Sequence, residues 1–176
     1  MFDEFGKMDL KALNTEAEML ANDGDEVALG RLAAENGIPM DSVKAYINME
    51  SDYLCEDVTD AALGRIDIEA DDIGAEEIMA DWADYIRSLI IDSEEFADKV
   101  MNPTKSFIGC VGQLAAYAVM HAETPPKEII KAMEDAVTPA QLKKLGLEKR
   151  HLAFTKIGMP GIGTAKRIIR SYYEED

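Results

Sequence analysis

The sequence predicts an all-α protein: a compact set of about eight to ten short helices, arranged as one bundle or as two small lobes. Three observations carry this. The apolar content is Ala, Leu, Ile and Met, with aromatics at 7% and few β-branched runs, which favours helices over strands. Apolar residues recur at intervals of three and four. Helix starts and stops follow one another densely, through Asp, Ser and Thr caps and Gly or Pro stops.

Taken in order, Asp9 is expected to cap a first helix through Leu10, Leu13, Ala17 and Leu20, closed by the Asn22-Asp23-Gly24 turn. Asp25 opens a second through Val27, Leu29, Leu32 and Ala33, with Asn36-Gly37 as a left-handed stop. After Pro39, Asp41 caps a third through Val43, Tyr46 and Ile47, and Thr59 opens a fourth with Ala62, Leu63 and Ile66. The strongest apolar pattern runs from Ala75 to Ile91, where Ile78, Trp82, Tyr85 and Leu89 recur beside Met79, Ile86 and Ile90. That breadth predicts a central helix with Trp82 as a core anchor.

Ser93 begins a short helix that ends before Pro103, and another runs from Ser106 through Phe107, Cys110, Val111, Leu114, Ala118 and Val119. Thr124-Pro125-Pro126 reads as a cap followed by proline in the first turn of a helix bearing Ile129, Ile130 and Met133. Thr138-Pro139 repeats the device for a short helix to Leu145. HLAFTKI, residues 151–157, is expected to be extended, and a last helix runs from Thr164 to Tyr173.

A chain of 176 residues at 47% hydrophobic can bury a sizeable core. No stretch approaches the roughly eighteen apolar residues that span a bilayer. The opening MFDEFGKMDL is acidic and lacks the basic-then-apolar order of a signal peptide, so a cytoplasmic location is expected. Cys55 and Cys110 sit inside apolar patterns and read as reduced, buried thiols.

Charge is unevenly placed. Residues 1–98 hold 27 acidic against 6 basic side chains, and residues 99–176 hold 8 against 12. The overall charge is −17. The chain therefore divides into an acidic helical part, 1–98, and a mildly basic helical part, 99–176, which carries a glycine-rich turn at 158–163. Such polarity implies that the two parts attract each other or face different partners.

Catalytic chemistry finds little in the sequence. His121 and His151 fall in no metal-binding spacing, and the acid-rich turns at 22–26 and 50–60 lack EF-hand order, so neither metal nor cofactor is expected. Glu77, Asp81 and Asp84 recur on one side of a helix as a solvated acidic face, without the Glu-x-x-His pair of di-metal bundles. No nucleophile elbow or Walker loop occurs. An enzyme assembled in space around Cys110 or His151 stands behind a binding protein.

Met159-Pro160-Gly161-Ile162-Gly163 resembles the hairpin of helix-hairpin-helix DNA-binding motifs. That resemblance implies backbone N–H groups of Gly161 and Gly163 on a phosphate, with Lys166, Arg167 and Arg170 on the following turns. The motif has a small residue four positions after the second glycine, where this chain has Arg167. The stretch is therefore read as a turn that docks the last helix through Ile162, Ile168, Ile169 and Tyr172.

Phe96-Ala97-Asp98-Lys99 with Pro103-Thr104-Lys105-Ser106 and Cys110, and the closing Tyr172-Tyr173-Glu174, resemble PcfK-like proteins of Gram-positive conjugative elements. The similarity covers about residues 94–135 and the C-terminal tail. It implies an accessory protein of a plasmid, transposon or prophage, and it brings no catalytic residue.

Together these readings predict a non-enzymatic protein that acts by protein–protein binding. Its acidic surface would engage a basic nucleic-acid-handling partner such as a nuclease, in the manner of a DNA mimic or an anti-CRISPR inhibitor. The expected contacts are Asp52, Glu56, Asp57, Asp60, Asp67, Glu69, Asp71, Asp72, Glu77, Asp81 and Asp84. The alternative is a conjugation or replication accessory that touches nucleic acid through Lys143, Lys144, Lys149, Arg150, Lys166, Arg167 and Arg170, with the two glycines.

Overall fold

A computed structural model describes residues 2–144, 146, 148–152 and 156–175, with the side chains of all of these except Lys149 and Arg150. It is all-helical: α1 (Leu10–Asn22), α2 (Glu26–Glu35), α3 (Met40–Ile47), α4 (Val58–Asp72), α5 (Ile78–Asp92), α6 (Glu94–Val100), α7 (Phe107–Met120), α8 (Lys127–Ala136), α9 (Pro139–Lys144), α10 (Lys149–Leu152) and α11 (Ile162–Glu174). The described residues form no strand, only a lone antiparallel bridge between Glu123 and Ile157. No helix among them is long and apolar enough to cross a membrane.

The expected caps hold where a side chain reaches the right amide. Asp9, Asp25, Ser93 and Ser106 accept from Ala12, Ala28, Phe96 and Gly109. Gly24 and Gly37 take the left-handed backbone that stops α1 and α2. Three starts differ. Pro39 precedes α3, and Asp41 lies in its first turn, paired with Lys44 at 2.8 Å, which lowers the Asp41 carboxyl. Asp57 caps α4 by accepting from Thr59, which reverses the role expected of Thr59. Pro126 precedes α8, so Thr124 is not its cap.

α4, rather than α5, is the central helix. It packs on α5, α6 and α7, and buries Val58, Ala61, Ala62, Arg65, Ile66, Glu69 and Ala70 along one stripe. Two of those positions are charged, and for that reason the apolar periodicity understates the stripe. α5 buries Ala83, Ile86, Leu89 and Ile90 and leaves Trp82 and Tyr85 only partly buried, one edge away from the expected anchor face. Where α2 ends against α4, the backbones of Gly37 and Gly64 touch. A Cβ on Gly64 would lie 2.1 Å from the Gly37 carbonyl oxygen, so a side chain at that position would keep the elements apart.

The core runs from Leu13 on α1 to Tyr173 on α11 and is continuous across residue 98, which lies within α6. α11 docks on α7 and α6 through Ala165, Ile169 and Tyr173. Ile168 and Tyr172 pack beside them as expected, but Ile162 is 78% exposed, because it stands in the first turn, before the helix meets α7. Residues 151–157 are not extended throughout. His151 and Leu152 close α10 and Ile157 makes the bridge, while 153–155, like Leu145, lie outside the described residues. Ahead of α1, the chain is tied down by the Glu35 carboxylate, which accepts from the N–H groups of Glu4 and Phe5 at 3.0 Å each.

Candidate functional site

Two hollows of the surface are built around the loop at residues 48–57. Leu54 is buried and pins this loop to the core. Asn14 of α1 clamps it from the side: its amide donates to the Cys55 carbonyl at 2.8 Å, and its carbonyl accepts from the Cys55 N–H at 3.1 Å. Ser51 bonds to the Tyr53 carbonyl at 2.6 Å and to Glu56 at 3.1 Å. A loop held at three points presents its outward side chains in a fixed arrangement. Those side chains are Met49, 92% exposed and in left-handed backbone at φ 59°, and Tyr53, 55% exposed.

A groove of about 1180 Å³ lies between this loop, α1, α3 and the α6–α7 connection. Its carboxylates are Asp9, Glu18, Asp52, Glu56 and Asp98, against one basic side chain, Lys11. Tyr46 and Tyr53 supply aromatic surface. Burial raises the Tyr46 hydroxyl, and the nearby charge of Glu18 adds to the effect. A second hollow of about 660 Å³ on the other side of the loop shares Tyr53, Cys55 and Glu56, and adds Asp57, Asp60 and Asp67.

The structure sorts the expected acidic contacts into groups. Asp52 and Glu56 line the groove, and Asp57 and Asp60 line the second hollow, although the Asp57 carboxylate also caps α4. Asp67 and Asp84 grip Arg87 at 2.8 and 2.7 Å; burial works against the Arg87 charge, and these two carboxylates more than offset it. Asp71, Asp72, Glu77 and Asp81 are exposed where α4 ends and α5 begins. Glu69, expected on the surface, is in the core. It is fully buried, 2.9 Å from the Lys7 ammonium and accepting from the Phe107 N–H, so it cannot meet a partner.

Groove residues Asp9, Glu18, Tyr46 and Asp98 were not among the expected contacts. They come from α1 with its cap, from α3 and from α6, and only packing brings them to one opening. Five of the six cations of the acidic part are engaged within the chain: Lys7 with Glu69, Arg31 with Glu4 at 2.7 Å, Lys44 with Asp41 and Arg87 with two aspartates, while Arg65 is buried on backbone carbonyls; the sixth, Lys11, lines the groove. The acidic excess is thereby left on the surface.

Of the basic residues, Lys166, Arg167 and Arg170 stand together on α11. Lys166 lies 4.6 Å above the Tyr85 ring, and Arg170 donates to the Tyr85 hydroxyl at 3.0 Å while standing 3.5 Å from Glu174. Arg167 is exposed beside them in a shallow hollow that Glu174 and Glu175 share. Lys143 and Lys144 are exposed on α9, and the side chains of Lys149 and Arg150 lie outside the described residues. In the glycine-rich turn, a Cβ on Gly158 would strike the Ala118 carbonyl oxygen at 1.9 Å, whereas Gly161 and Gly163 face open space.

Both cysteines are free and buried. Burial pushes the Cys110 thiol up to about 12, which holds it protonated at neutral pH, and raises Cys55 as well. Among the described residues, no group of three or more His, Cys, Asp or Glu side chains is placed to hold a metal ion. Comparison with protein-family models, curated proteins and solved structures finds no match to this chain.

Proposed function

We propose that this chain is a non-enzymatic accessory protein that binds a basic, nucleic-acid-handling protein partner through the acidic groove at residues 48–57. One observation carries the reading: a pre-formed concave surface with five carboxylates, one lysine and two tyrosines. Carboxylates on a rigid frame, outnumbering the cations beside them, attract a cationic surface at long range, and the attraction weakens with salt. The tyrosines add contact area at little cost in side-chain entropy. The resemblance of residues 94–135 to PcfK-like proteins is in keeping with a protein of a mobile genetic element, where a small acidic inhibitor of a nuclease would have a use.

The test is a pull-down from host lysate with the intact chain and with a Glu18→Gln/Asp52→Asn/Glu56→Gln variant, over a salt series. Nucleases, relaxases or similar basic proteins should be retained by the parent, lost by about 0.3 M salt, and lost by the variant at any salt. Equal capture by both proteins would refute the groove. Low-salt gel shifts with the intact chain separate the alternative. A shift abolished by Lys166→Ala/Arg167→Ala/Arg170→Ala would favour direct nucleic-acid binding and count against the groove.

A further inference from the structure

We propose that the groove selects arginine over lysine and receives an extended, arginine-bearing segment of its partner; this rests on the function proposed above and specifies its ligand. At about 1180 Å³ the groove is larger than the roughly 300–1,000 Å³ typical of small-molecule sites, and it is an open trough rather than a closed chamber. That shape suits a stretch of peptide with several side chains.

Its lining combines the two features a guanidinium uses and an ammonium does not. A planar, weakly hydrated guanidinium stacks on an aromatic ring while its edge donates two parallel hydrogen bonds to a carboxylate. Tyr46 stands half-buried in one wall with Glu18 close by, and Tyr53 is exposed on the clamped loop between Asp52 and Glu56. Both rings thus line the same groove as the carboxylates. An ammonium is a compact point charge that would gain the Coulomb attraction alone.

The frame favours this selectivity. The Asn14–Cys55 clamp and the buried Leu54 hold the Tyr53 backbone before any ligand arrives, so ordering the platform adds little cost to binding. Met49, beside a further hollow that shares Tyr46 and Asp52, extends the apolar rim for the rest of the segment.

The experiment measures fluorescence anisotropy of two labelled, end-blocked hexapeptides, one of arginine and one of lysine, against the intact chain at about 0.1 M salt. The arginine peptide should bind at least about five-fold more tightly. Tyr53→Ala should reduce that ratio below about two-fold, and Tyr53→Phe, which keeps the ring, should preserve it. Glu18→Gln/Asp52→Asn/Glu56→Gln should weaken both peptides by ten-fold or more. Equal affinity of the two peptides for the parent chain, or a preference that survives Tyr53→Ala, overturns the arginine selectivity and leaves the acidic docking surface standing. Failure of both peptides to bind overturns the two proposals together.

Discussion

Arg65 and Glu69 stand one turn apart on α4, both almost without solvent contact, and between them they tie α4 to three other stretches of chain. The Arg65 guanidinium donates to the carbonyls of Val100 and Met101 at 3.3 and 2.8 Å, and also to that of Met8. Glu69 accepts from the Phe107 N–H and meets Lys7 at 2.9 Å. Burial opposes the charge of Arg65, and Glu69 acts to restore it. Removing the guanidinium leaves these buried carbonyls without their donor and takes a nearby positive charge from Glu69, at a cost of about 3–5 kcal/mol. Arg65→Ala should lower unfolding stability by that amount in a urea titration. Glu69→Gln, whose amide oxygen can still accept from Phe107, should cost about 1–3 kcal/mol. Losses below half a kcal/mol for both would mean that the centre of α4 is not held in this way.

Two glycine substitutions should move stability in opposite directions. Gly64→Ala forces a methyl against the Gly37 carbonyl, and should destabilise by about 3 kcal/mol or prevent folding. Gly163 lies in the first turn of α11 with open space around it, so Gly163→Ala should raise stability by up to about 1 kcal/mol. Thermal melts of the two variants decide the matter, and a destabilising Gly163→Ala would return the glycine turn to the list of strained or binding elements.

The Tyr173 hydroxyl is buried and finds no hydrogen-bonding partner among the described residues, while its ring packs edge-on to Phe96 at 5.5 Å. Tyr173→Phe keeps the ring and removes the stranded hydroxyl. It should leave stability unchanged or raise it by about 1 kcal/mol. A loss of 2 kcal/mol or more in the same assay would reveal a partner for that oxygen.

Cys110 gives the fold an alkaline limit. Its thiol titrates near 12 in the folded chain against an ordinary value of 9.0. A raised folded value means that its contribution is fully present below pH 9 and is lost as the pH climbs towards 12, at up to about 1.4 kcal/mol per unit. Desolvation raises Tyr173 as well, and adds a loss of the same sign. The difference in stability between the parent and Cys110→Ala should therefore shrink as the pH rises from 8 to 11. A thiol reagent at pH 8 should leave native Cys110 unmodified for as long as the chain stays folded. Rapid native labelling of Cys110 would contradict its burial.

Helix limits were legible wherever one side chain or one glycine sets them, as at Asp9, Asp25, Ser93, Ser106, Gly24 and Gly37. The order of importance among helices was not. α4 hides its central place because Arg65 and Glu69 interrupt its apolar stripe, and their satisfaction depends on carbonyls and amides about 35 or more residues away. The same two residues explain the one misplaced contact, since an acidic residue beside other acids reads as surface until its partners are seen. Half of the groove was visible in the acid-rich 50–60 stretch. The other half comes from Glu18, Tyr46 and Asp98, which are distant in sequence and meet only through packing. A signal existed in Asn14, a polar residue at the edge of the α1 apolar face, but its reciprocal bonds to Cys55 appear only in three dimensions.

A two-dimensional amide NMR titration of the labelled chain with the arginine hexapeptide reads the central claim residue by residue. Saturable shifts are expected at Glu18, Tyr46, residues 52–56 and Asp98, with little change at Asp71, Asp72 and Asp81. Shifts spread over those distal acids, or no shifts at all, would contradict a defined acidic docking groove.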